Sequence, residues 1–102
     1  MRGELDLLLL AVLRGAPRHG YEVIAELRRR SDGAFDLKEG TVYPALHKLE
    51  HDGLVASEWD TVDGRKRRVY RLTAPGAAAL TDRARSWKQY ANAVHAVVGA
   101  PA

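Results

Sequence analysis

Catalytic chemistry in this chain could come from only a few side chains. His19, His47, His51 and His95 are the candidates for acid–base or metal work. His47 and His51 stand at i, i+4, a spacing that can turn two imidazoles to one side of a helix for a metal. No third ligand is apparent at motif spacing, and no carboxylate partners a histidine there. A Gly-rich phosphate loop, a G-x-S-x-G elbow and a paired-carboxylate site cannot be placed. Without cysteine there is no thiolate chemistry and no disulfide framework, which is compatible with a reducing cytoplasm. The chain is therefore not expected to be an enzyme, nor to carry a cofactor or a metal.

Recognition chemistry is better represented. Within residues 38–52, Val42, Leu46 and Leu49 recur at i, i+4, i+7, with Ala45 beside them, which seats a helix on a core. The other face presents Gly40, Pro44, His47 and His51, flanked by Thr41, Tyr43 and Lys48. Hydroxyls, imidazoles, small surfaces and one cation can meet base edges and phosphates. An ordinary solvated helix would carry more Glu and Lys. Net charge adds a second signal. Residues 1–52 sum to −1 and residues 53–102 to +4, with the excess gathered in Arg65, Lys66, Arg67 and Arg68. A local basic cluster on a nearly neutral chain suggests contact with a polyanion.

The elements that would position these groups follow from periodicity. Leu5, Leu8, Leu9, Val12 and Leu13 give a first helix, ended by Gly15 and Pro17. Leu7, Leu10 and Ala11 form a second apolar side, which predicts cover from a second subunit. A second helix spans about 20–30, with Tyr21 in its first turn and Arg28, Arg29 and Arg30 suited to its C-terminal dipole. Phe35-Asp36-Leu37 alternates as a very short strand. The central helix stops at Asp52-Gly53. Residues 54–62 and 67–73 then form a hairpin around Asp63-Gly64, because a type I′ turn needs positive φ. The whole is mainly α with a small β-hairpin wing: a winged helix-turn-helix, whose third helix enters the major groove while the wing reaches the backbone or minor groove. Tyr43, His47 and Lys48 are expected at base edges or adjacent phosphates, Thr41 and Pro44 at the groove floor, and Tyr21 on a phosphate. Arg65 to Arg68 would supply non-specific affinity. The alternative is a winged-helix module for protein interaction without a DNA target.

The same residues resemble a known family. His19-Gly20-Tyr21-Glu22 and Gly40-Thr41-Val42-Tyr43-Pro44-Ala45-Leu46-His47-Lys48-Leu49-Glu50 are similar to the signature and recognition segments of the PadR-like transcriptional regulators. Asp52-Gly53-Leu54-Val55, the Trp59 strand, the basic wing and Tyr70-Arg71-Leu72-Thr73 continue the match over about residues 5–80. Lys38-Glu39 departs from the Ser-Pro common there. The resemblance implies a dimeric repressor of the short form, with one C-terminal helix for dimerisation, that binds double-stranded DNA and releases it when an effector binds.

Residues 1–74 would form the DNA-binding domain, 75–98 the dimerisation helix and 99–102 a frayed tail. Ala77, Leu80, Ala84, Trp87, Ala91, Val94 and Val98 alternate spacings of three and four, the pattern of a helix–helix seam. With Leu7 and Leu10 they predict a homodimer facing a pseudo-palindromic operator. Trp87 near the two-fold axis, closed in by Leu7, Leu8 and Ala11, would hold a small aromatic or hydrophobic effector. The Leu7–Leu13 apolar run is too short to span a bilayer, so no membrane partner is expected.

Overall fold

Leu9, Leu10, Val12 and Leu13 sink the first helix into the centre of the molecule, each at 2% exposure or less. A computed structural model describes residues 2–99 of the chain; the expected fraying of 100–102 lies outside the described residues. The order is α1 (Arg2–Gly15), β1 (Arg18–His19), α2 (Gly20–Arg30), α3 (Glu39–His51), β2 (Val55–Val62), β3 (Arg65–Leu72) and α4 (Ala74–Val98). The three strands form one antiparallel sheet in the order β1-β3-β2. Around α1 pack Val23 and Leu27 from α2, Val42, Leu46 and Leu49 from α3, Val55 and Tyr70 from the sheet, and Leu80 from α4.

This packing corrects two expectations. Leu10 and Leu80 lie inside the protomer's own core and cannot form a surface between subunits. The second apolar side of α1 is covered largely from within the chain, by the first half of α4 and the sheet. Secondly, Phe35-Asp36-Leu37 is not a strand. Its alternation is real, since Phe35 and Leu37 are half-buried and Asp36 is exposed, but Leu37 packs on the core without any ladder partner. The sheet edge is taken instead by β1, where Arg18 pairs with Tyr70 and His19 with Val69. Two residues are too few for a periodic signal.

Local capping fixes the helices that matter for function. His19 Nδ1 accepts from the Glu22 amide while the Glu22 carboxylate accepts from the His19 amide, closing a capping box on α2. Gly53, at φ 78°, ends α3. The Leu54 amide then reaches the Leu49 carbonyl and the Gly53 amide the Glu50 carbonyl, a Schellman closure. Thr73 caps α4 by accepting from the Gly76 amide and donates its hydroxyl to the Gly53 carbonyl at 2.7 Å. Gly76 packs so tightly on the Leu54 carbonyl that no side chain fits there. The base of α4 is thus locked to the end of α3. Its 25 residues make a rod of about 37 Å, and its distal half projects from a molecule measuring 58 × 28 × 22 Å.

Candidate nucleic-acid interface

On α3, burial of Val42, Leu46 and Leu49 turns Thr41, Pro44, His47, Lys48 and His51 outward, all exposed. Tyr43 differs from them. It is half-buried, because its ring lies against Gly20 at the start of α2. Burial and the neighbouring Tyr21 push its pKa up. The Tyr21 ring meets Tyr43 edge to face, with centroids 6.5 Å apart. The Arg67 guanidinium sits 5.1 Å from the Tyr21 centroid, a cation–π contact. One aromatic–cation cluster therefore joins α2, α3 and the wing. The Glu39 carboxylate beside the Tyr21 hydroxyl raises the tyrosine pKa.

The hairpin closes as expected, with Asp63 at φ 53° and Gly64 at φ 76°. This turn sets Val62 opposite Arg65, Thr61 opposite Lys66, Asp60 opposite Arg67 and Trp59 opposite Arg68. The four cations do not share one environment. Arg65 and Lys66 are exposed. Arg67 covers Tyr21. Arg68 donates from Nε to Ser57 Oγ at 2.8 Å, lies 3.8 Å from Glu50 and stacks 5.4 Å over the Trp59 ring. A cleft of about 220 Å³ between the wing and the two helices is lined by His19, Gly20, Tyr43, Trp59 and the cations Lys66 to Arg68. Such a concave basic surface bordered by the outward face of α3 can hold a nucleic-acid backbone while helix side chains reach base edges.

Glu39, Glu50, Ser57 and Trp59 were not among the sequence-derived site residues. Trp59 and Arg68 could have been paired from the two-residue turn, which fixes the register. The contacts of Glu50 with Ser57 and of Glu39 with Tyr21 depend on how α3 docks, and carry no local signal.

A second concavity lies between α1 and α4. It measures about 590 Å³ and is lined by Leu7, Trp87 and Tyr90, with Glu4, Asp6, Asp82, Arg83 and Ser86 at its edge. Trp87 and Tyr90 are 5.9 Å apart, and Arg83 pairs with Asp6 at 3.4 Å. Leu8 and Ala11, expected beside Trp87, do not line it; they pack against the core. Among the described residues, no three histidine or acidic side chains converge as a metal site, and no helix is long and apolar enough to cross a membrane.

A helix-turn-helix with a basic β-wing on one face defines a DNA-binding regulator of the winged-helix class. Comparison with known proteins narrows the class. The chain belongs to the transcriptional regulator PadR-like family, whose model matches residues 9–82. It is 47% identical over 76 residues to the transcriptional regulator Rv3488 of Mycobacterium tuberculosis, covering 74% of this chain and 68% of that protein. Among solved structures, a transcriptional regulator from Clostridium thermocellum superimposes with a TM-score of 0.86 at 27% identity, over 95% of both chains. A PadR-family regulator from Eggerthella lenta gives 0.82 at 32% identity, over 98% of this chain and 86% of that one. The protein is thus a DNA-binding transcriptional regulator and not an enzyme.

Proposed function

We propose that the protein is a homodimeric repressor that holds a pseudo-palindromic operator and leaves it when a small aromatic molecule binds. The observation that carries this reading is the Tyr43–Tyr21–Arg67 cluster, which makes recognition helix and wing a single unit. Thr41 and Pro44 line the major groove, His47 and Lys48 meet base edges or the phosphates beside them, and Tyr21, Arg65, Lys66 and Arg67 engage phosphates. Residues 1–74 form the reading head, and α4 joins two heads. Support for the dimer is the distal half of α4, where Trp87, Tyr90, Val94, Val97 and Val98 are all exposed. Apolar surface gathered along one projecting helix is the usual mark of an association surface.

The effector enters the α1–α4 groove, against Trp87, Tyr90 and Leu7. Glu4, Asp6 and Asp82 outnumber Arg83 at its edge, so a neutral or cationic ring is favoured over an anionic one. Binding relieves repression only if the ligand prefers the dimer spacing that does not fit DNA. The test is analytical sedimentation with duplex DNA from upstream of the protein's own gene. Two protomers per duplex, displaced by an aromatic ligand, are expected; one protomer per duplex would refute the dimeric reading.

A further inference from the structure

We infer that Arg68, unlike Arg65, Lys66 and Arg67, does not bind a DNA phosphate and is a positioning residue: it clamps the wing to α3 through Ser57 and Glu50. The inference rests on the DNA-binding reading and assigns the parts within it.

Three elements meet at this clamp. Glu50 comes from the last turns of α3, Ser57 and Trp59 from β2, and Arg68 from β3. The Ser57 hydroxyl donates to the Glu50 carboxylate and accepts from Arg68 Nε. One guanidinium nitrogen lies 3.8 Å from the same carboxylate. The guanidinium plane covers Trp59 at 5.4 Å. Nε and one face of the guanidinium are therefore engaged in the protein, while 37% of the side chain stays exposed. The Glu50 charge also offsets that of Arg68 close by, so little field is left for a phosphate farther away. The other wing cations differ. Among the described residues, no carboxylate lies within ion-pair distance of Arg65, Lys66 or Arg67. Arg and Lys are not interchangeable here, since a lysine ammonium is a point charge that cannot bridge a serine, a carboxylate and an indole face at once.

The angle between wing and α3 decides whether both can touch one duplex. Loosening the clamp should weaken binding equally at every salt concentration, because no phosphate contact is removed. Losing a phosphate contact should instead flatten the salt dependence.

The experiment titrates the full-length protein against a fluorescent random-sequence duplex over a salt series. For Arg68→Ala, affinity falls by about tenfold with the salt slope unchanged, and Arg68→Lys does not restore it. Ser57→Ala gives a comparable loss and adds nothing in the Arg68→Ala background. Arg67→Ala, by contrast, lowers the slope by about one. A slope lowered by about one in Arg68→Ala and restored by Arg68→Lys would overturn the inference. A second readout needs no DNA. In a Trp87→Phe background, both Arg68→Ala and Ser57→Ala should change Trp59 emission; unchanged emission in Ser57→Ala would also overturn it. If the wild-type protein binds no duplex, the DNA-binding reading fails, and the Trp59 readout still decides whether the clamp exists.

Discussion

The Tyr43 ring of α3 lies so close to Gly20 at the start of α2 that a β-carbon at position 20 would overlap it. Alanine is ordinarily the better helix former by about 1 kcal/mol. Here the sign should reverse, because overpacking costs roughly 1–3 kcal/mol. Gly20→Ala should lower Tm, displace Tyr43 from Tyr21, and weaken DNA binding. A thermal melt with unchanged or raised Tm would show that the contact is slack.

Glu26 gives a pH dependence. Hydrogen bonds from Arg29 and Arg30, then the charges of Arg29 and Arg18, hold its carboxyl below the usual glutamate range. A depressed folded pKa contributes stability above the unfolded value of about 4.3, and that contribution is lost as pH falls through the folded value. Glu26→Gln should therefore unfold at lower urea than wild type at neutral pH, and the gap should close in acid. A gap that widens as pH falls would reverse the assignment.

Val94 and Val98 lie on the free half of α4 and are exposed in the protomer. Sedimentation should give a dimer for the wild-type protein at micromolar concentration. Val94→Asp with Val98→Asp should give a folded monomer with weaker DNA binding, since neither residue belongs to the core. A wild-type monomer would remove α4 as the joining element.

For the α1–α4 groove, a Trp59→Phe variant leaves Trp87 as the reporting indole. A planar cationic dye should quench it at lower concentration than a phenolate of similar size, and Tyr90→Ala should weaken the dye. A preference for the phenolate would mean that the carboxylates at the groove edge do not govern entry.

What was legible in the sequence is what repeats or turns locally. Val42, Leu46 and Leu49 announce α3 by spacing alone. Asp63-Gly64 fixes the hairpin register because two successive residues need positive φ. The side of α1 that Leu10 occupies was not legible, since periodicity says that a residue is apolar and not which neighbour covers it. The strand expected at Phe35–Leu37 failed for a related reason: alternation reports alternating burial, and a loop can alternate in burial without pairing. The Gly20–Tyr43 and Ser57–Glu50 contacts arise only when α2, α3 and the wing dock together. Gly20 and Tyr43 are far apart in sequence, and Glu50 and Ser57, seven residues apart, stand on different elements.

The most direct test of the central claim, that α3 and the wing grip one duplex together, is the salt dependence of DNA binding by three proteins. Fluorescence anisotropy of the wild type should show affinity falling steeply between about 50 and 200 mM salt, with Lys48→Ala and Arg67→Ala each lowering the log–log slope by about one. A wild-type affinity that does not change with salt, or slopes untouched by both substitutions, would contradict the account.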